Sequence, residues 1–216
     1  PQARDEDLAR CLGLAGRFNI MFAGTMGTVQ ALDSVLDAAK LCAASNLRIQ
    51  FVFVGGGVER PRLEEKAARA PNVLFLPAQP MHAMSPLLAL ADVLLVHLKD
   101  DPLFRITIPS KTQAFLAAAK PLLMAASGDA SDIVKQAQAG VLVQPENPRA
   151  IADAALELAR LDPDRLREMG ASGRSFYLRE MSMETGIQSF ERVFQTVVSP
   201  AAKRGVTANR RTQNTP

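Results

Sequence analysis

The chain has 216 residues, 48% of them apolar, and 25 Lys and Arg against 22 Asp and Glu give a formal charge of +3. That length and apolar fraction suffice for one sizeable core and exclude a fibrous or disordered chain. Apolar runs such as Val93–Leu98 stop well short of the roughly 18 residues a membrane span requires. Cys11 and Cys42 are too few for a disulfide framework or a cysteine metal site and fit a reducing cytosol. The opening residues PQARDED show neither a signal-peptide pattern nor an initiator Met, so an upstream segment is expected. Four basic residues (Lys203, Arg204, Arg210 and Arg211) fall in 200–216, which holds no acidic residue, so the rest of the chain carries −1. Scattered cations without interleaved aromatics make a poor nucleic-acid or lipid footprint, and the tail reads as a disordered, solvated terminus.

Along the chain, apolar runs rich in β-branched residues alternate with segments of helical period. Strands are expected over 18–24 (FNIMFAG), 48–55 (RIQFVFVG), 72–77 (NVLFLP), 93–98 (VLLVHL), 121–126 and 140–143. Helices are expected over 30–44, 60–70, 83–90, 110–119, 130–139, 148–161, 163–178 and 183–198. In the first of these, Leu32, Val35, Leu36, Ala39 and Ala43 share a face. Continuous apolar strands separated by helices imply right-handed crossovers and a doubly wound parallel α/β sheet. Ligands of such sheets lie beyond the carboxyl ends of the strands, which directs attention to the loops 24–29, 55–59, 77–81 and 99–109.

The first loop, AGTMGT, joins a strand to a helical segment through Gly24 and Gly27. Unobstructed backbone amides there suit a diphosphate, and a tight βα turn explains the same residues. Gly55-Gly56-Gly57 does not complete a dinucleotide fingerprint, because Arg60 stands where a spaced glycine is needed. No acidic residue ends the next strand, which weakens an NAD-dehydrogenase reading. In Ile108-Pro109-Ser110-Lys111, Ser110 reads as a helix cap. Lys111 in the first turn is unfavourable against the helix dipole unless an anion compensates. Its place beyond the fourth strand favours that ligand over a solvent-facing lysine. Arg105 could meet a phosphate or sugar hydroxyl, or pair with Asp100 or Asp101. His82 and His97 lack spacing partners for metal ligation, and the eight Met residues read as core filling.

The segments FAGTMGTVQALDSVLDAA, IQFVFVGGG, NVLFLPAQP, ADVLLVHLKDDPLFRITIPSKTQAFLAAAKPLLM, AGVLVQPENPRAIADAALEL and RLREMGASGRSF, in that order, resemble the C-terminal domain of group 1 (family 4) glycosyltransferases. The resemblance spans 18–198 and is nearest the branch that builds bacterial surface polysaccharides from UDP-linked N-acetylated sugars. It implies one Rossmann-like half of a two-domain GT-B enzyme: an interdomain segment over 1–17, a nucleotide-sugar-binding domain over 18–199, and the tail over 200–216. By the same resemblance, Gly24, Thr25, Met26 and Gly27 lie by the diphosphate. Leu76, Pro77 and Ala78 present backbone to the base, and Ser110 and Lys111 face phosphate. Gln30, Gly55 and Arg105 complete the donor-binding set. No catalytic residue is assigned, and neither a cofactor nor a metal is expected.

Several positions depart from the family pattern. Thr25 replaces an Arg, Gln30 a Lys and Ala31 a Gly; Ile106 and Ala114 stand where paired glutamates are usual, and Ala119 replaces a Gly. The replacement positive charge is expected from Lys111 and Arg105. The function implied is the donor half of a retaining transferase using a UDP-sugar. Expected partners are an N-terminal acceptor domain and, through the acceptor, the inner face of the membrane; the location is cytoplasmic, and no nucleic acid is implied. A UDP-sugar 2-epimerase-like enzyme and a non-catalytic α/β binding module are the alternatives. The segment 183–198, which in the family crosses to the other domain, is expected to present an unpartnered apolar face.

Overall fold

A computed structural model of the protein describes residues 1–45 and 48–198. The chain divides into two compact units, Pro1–Tyr177 and Leu178–Pro216.

The first unit is built on six parallel strands: β1 (Phe18–Ala23), β2 (Ile49–Val54), β3 (Val73–Leu76), β4 (Val93–His97), β5 (Leu122–Ala125) and β6 (Gly140–Leu142), in the order β3-β2-β1-β4-β5-β6. β1 pairs with β2 from Phe18↔Ile49 to Ala23↔Val54 and with β4 at Ile20↔Val93, so the strand order reverses between β1 and β4. Ile20, Phe51, Leu95 and the alternate residues Met21, Val52 and Leu94 are all 0–1% exposed. Burial on both faces is why these strands read as unbroken apolar runs. α2 (Asp33–Ser45) packs against α8 (Pro148–Leu158), and α6 (Ser110–Ala117) against α9 (Pro163–Phe176). The remaining helices are α1 (Glu6–Cys11), α3 (Arg60–Ala67), α4 (Met81–Ala89), α5 (Pro102–Arg105) and α7 (Asp129–Gln136).

Residues 1–17 pack within the first unit: Asp5 caps α1, Ala9 and Leu14 are fully buried, and Arg4 donates to the carbonyls of Leu90 and Leu14. Two differences from the sequence expectation have local causes. α2 begins at Asp33 instead of residue 30, because a 3-10 turn over Thr28–Gln30 ends at Ala31 in the left-handed region, φ 43°. On α2 the buried apolar set is Val35, Leu36, Ala38, Ala39 and Cys42, beside buried Ser34, with Ala43 only half-buried. Burial pushes the Cys42 thiol up to about 12, and both cysteines are free.

The second unit carries α10 (Met183–Val198), which follows a π turn over Tyr177–Met181. Ser182 Oγ accepts the Thr185 N–H at 3.1 Å and opens the helix. None of its residues is buried; Ile187, Phe190, Phe194 and Val197 form an exposed stripe, with the two phenyl centroids 6.5 Å apart. The basic tail expected over 200–216 lies outside the described residues. Among the described residues no helix is long and apolar enough to cross a membrane.

Candidate functional site

Three of the loops leaving the strand ends meet at one cavity of about 520 Å³. Its floor is Gly24 and Thr25 after β1 and Gly55–Gly57 after β2; Ala78, Gln79, Met81, Met84 and Leu88 form one wall, and Lys111, Ala114 and Phe115 of α6 the other. The two floor loops are in backbone contact. Gly24 N–H donates to Val54 O at 2.9 Å and Met26 N–H to Gly56 O at 2.7 Å. A Cβ at Gly55, whose φ is 133°, would lie 2.1 Å from the Gly24 carbonyl oxygen, so glycine is the residue that lets the loops close. Gly57, at φ 142°, is held the same way against the Met26 carbonyl; in sequence the triplet registers only as a failed dinucleotide fingerprint.

Lys111 decides the electrostatics. Its Nζ is buried and has no hydrogen-bond partner, the one cation among the described buried polar atoms in that condition. It lies 3.9 Å from the centroid of Phe22. It also reaches so close to Gly24 that a Cβ there would stand 2.9 Å from Nζ. The side chain therefore turns inward at the cavity wall, its amine tucked against Phe22 and Gly24 and not toward solvent. Burial alone brings its amine down to about 8. Among the described residues no other titratable side chain lines the cavity.

The other expected site residues distribute as follows. Gly24, Thr25, Gly55, Ala78 and Lys111 line the cavity. Met26 does not: it is fully buried, its N–H is bonded to Gly56 and its carbonyl accepts from Glu59 N–H at 3.1 Å, so it plugs the loop from beneath. Gln30 is turned inward, its Oε1 accepting the Gly27 N–H at 3.0 Å. Of the first loop's amides, those of Gly24, Met26 and Gly27 are thus committed within the protein, which leaves those of Thr25 and Thr28 uncommitted among the described residues. The amide cradle expected of this loop is correspondingly reduced.

Leu76 spends its carbonyl on Gly55 N–H (3.2 Å) and on the Arg60 guanidinium (3.0 Å). Leu76 and Pro77 line a separate cavity of about 420 Å³ with Leu8, Leu12, His82 and Leu87, and Gln79 reaches both cavities. Arg105 is exposed, pairs with Asp100 at 3.1 Å and does not reach the main cavity. Ser110 is not the cap of α6. Pro109, held extended at ψ 134°, takes that position, and Ser110 is the exposed first helical residue.

A second buried base lies at the β4 end, in a network the sequence does not reveal. His97 is fully buried. Its Nδ1 is 2.7 Å from the Gln30 carbonyl and so carries the proton; Nε2 accepts the Glu146 N–H at 3.1 Å. Ser34 Oγ lies 3.0 Å from Nε2 and 2.9 Å from Ala31 O, so its one proton serves either. Burial pushes the imidazole down to about 4. His97 thereby ties together two segments with left-handed non-glycine residues, Ala31 (φ 43°) and Glu146 (φ 54°). Glu146 passes the connection on, accepting the Asp100 N–H at 2.8 Å. Among the described residues no cluster of three His, Cys, Asp or Glu could hold a metal ion.

The family model described as "Glycosyl transferases group 1" matches residues 17–160, most of the chain. The chain belongs to the group 1 glycosyltransferases. No curated protein matches it. Among solved structures, the chain is similar to Anabaena Alr3699/HepE in complex with UDP and glucose: 17% identity, TM-score 0.73, covering 88% of this chain and 51% of that one. The sucrose-phosphate synthase of Thermosynechococcus elongatus is similar at 18% identity and TM-score 0.74, over 90% and 49%. A protein from E. coli whose structure is described as trehalose-6-phosphate bound with UDP-2-fluoro glucose gives 14%, 0.69, 91% and 47%. The chain therefore spans about half the length of these structures, and the likeness is one of fold: a Rossmann-like GT-B domain.

Proposed function

We propose that the cavity binds the diphosphate of a UDP-sugar, and that the chain is the C-terminal, donor-holding half of a retaining glycosyltransferase acting in cell-surface polysaccharide synthesis. The observation that carries this reading is Lys111: a buried, unpaired amine in the wall of a glycine-floored cavity beyond the strand ends. A buried ammonium without a partner is costly, and an anionic ligand offsets that cost. Support for the nucleotide comes from the similar structures, several of which are described with UDP or a UDP-sugar.

The transfer would be of a hexosyl or N-acetylhexosaminyl group, at the cytoplasmic face of the membrane and without a required metal. Lys111, the Thr25 N–H and the amino end of α6 would stabilise the departing diphosphate. Arg105, held by Asp100 at the surface, is left out of this proposed set. Catalysis further requires an acceptor domain beyond this chain. Isothermal titration of the chain with UDP, UDP-glucose and UDP-N-acetylglucosamine tests the donor reading: saturable millimolar-or-better binding is expected, and its absence for all three overturns it.

A second reading has its own observation. Ala114 lines the cavity where the family places a glutamate, and Ile106, at the other glutamate position, is 74% exposed. Those losses favour a binding module that keeps the nucleotide and has lost transfer. Sugar transfer on pairing with its acceptor domain separates the two readings. An epimerase-like enzyme would need acidic or histidine side chains on the sugar, and among the described residues none lines the cavity.

A further inference from the structure

We infer that Lys111 is the charge-selecting residue of the cavity and that an anionic ligand binds there together with uptake of a proton by its amine. The inference rests on the donor reading above and adds to it how the site chooses and holds its ligand.

The geometry isolates the amine. Nζ has no hydrogen-bond partner and packs on the Phe22 ring and against Gly24, so among the described residues no protein group stabilises its charged form beyond the ring face. The charged groups on neighbouring elements are all occupied elsewhere. On α6 itself Lys111 is the lone ionisable residue. Behind the floor, Arg60 donates to the Gly55 and Leu76 carbonyls and pairs with Glu64 at 2.7 Å. On α4, His82 faces the neighbouring cavity. On β4, His97 is bonded to Gln30 and Glu146, and beyond it Asp100 pairs with Arg105. On α9, Arg174 donates to Ala117 O at 2.8 Å, at the opposite end of α6.

Burial has accordingly brought the amine down to about 8, so before any ligand binds a substantial part of the protein is neutral at that position under mildly alkaline conditions. A diphosphate within a few ångströms restores the charged form and raises the pKa by about 1–3 units. The proton comes from solvent, and no bond in the ligand changes. Thr25, Gln79 and Lys111 are the lining residues with polar side chains. Only Lys111 among them distinguishes an anion from a neutral nucleoside.

The test is calorimetric. UDP-glucose is the probe, because its diphosphate has no ionisation near pH 8. Binding to the 216-residue chain is measured between pH 6.5 and 9.5, in buffers of differing ionisation enthalpy. The expected result is affinity level below pH 7.5 and falling by up to about tenfold per unit above pH 8. Buffer-dependent heats should report uptake of about half a proton at pH 8. Lys111→Arg should bind without pH dependence, Lys111→Met should bind more than about tenfold more weakly with none, and uridine should bind no better to wild type than to Lys111→Met. Binding by wild type with flat affinity and no proton uptake overturns the inference and leaves the nucleotide reading standing. A folded chain that takes up none of the UDP ligands at any pH overturns the nucleotide reading, and this inference with it.

Discussion

Two buried nitrogen bases flank the loop after β1, and they differ in one respect. His97 on one side spends both ring nitrogens on protein partners, the Gln30 carbonyl and the Glu146 N–H. Lys111 on the other side spends none. Burial depresses both, the imidazole to about 4 and the amine to about 8. A satisfied buried base is a fastener: removing it leaves its partners unpaired. An unsatisfied one is a cost that the empty protein carries, and such costs cluster where a ligand is to bind. The two residues should therefore respond to mutation with opposite signs.

The largest effect is expected at His97. His97→Leu fills much of the volume but strands the Gln30 carbonyl and the Glu146 N–H, and releases two left-handed segments. A loss of about 3 kcal/mol in urea unfolding is expected. His97→Asn, which keeps a donor toward Gln30, should recover a good part of it. A neutral result for the leucine variant would break the contrast.

Acid titration reads the same residue from another direction. Folding lowers the His97 pKa from 6.5 to about 4, so between those values the unfolded chain binds the extra proton. Stability is therefore present above pH 6.5 and lost as pH falls toward 4, by roughly 3 kcal/mol from this group. Half-buried Asp92, whose carboxyl is pushed up chiefly by desolvation, works in the opposite sense at the acid end. Comparing wild type with His97→Leu isolates the histidine: the wild-type curve should fall more steeply from pH 6.5 to 4.5, and parallel curves would deny it the role.

What the sequence discloses follows from how local each feature is. The strands are legible because parallel strands buried on both faces need apolar residues at every position, as in Phe51-Val52-Phe53. Lys111 is legible as an anomaly, a cation where the helix dipole repels it. Three features are not legible. Met26 sits between loop glycines and reads as a loop residue, yet it is fully buried under that loop. Gln30 gives no sign that it bonds back to Gly27 and halts the helix expected from residue 30. His97 looks like one more member of an apolar run, because its partners arrive from residues 49 to 67 positions away. Such contacts depend on the assembled sheet and leave no periodic trace.

At Lys111 the sign reverses. Lys111→Met removes an unpaired buried charge, keeps comparable length, and places a thioether on the Phe22 ring. Stability should rise by about 1 kcal/mol near neutral pH, the lost cation–π contact offsetting part of the gain. The gain should shrink as pH rises from 8 to 10.5, because there the unfolded chain holds the proton and the folded lysine is neutral. Thermal denaturation at pH 7 and 10 measures both. A destabilised methionine variant would mean that the amine has a partner inside the protein, which would remove the basis of the contrast.

The smallest effect tests the strut between the two bases. Gln30 accepts from Gly27 N–H through its side chain while its carbonyl holds His97, so the loop's shape is tied to both sides. Gln30→Ala should cost about 1 kcal/mol, the scale of a lost turn cap, and Gln30→Glu, which retains an acceptor, should cost less. Amide hydrogen exchange at Gly27 is the sensitive readout, with about fivefold faster exchange expected in the alanine variant. If exchange there is unchanged, His97 alone fixes the loop and the side-chain strut is dispensable. If exchange accelerates at Thr25 as well, Gln30 also holds the N–H proposed to meet the diphosphate, and the two sides of the loop are mechanically one unit.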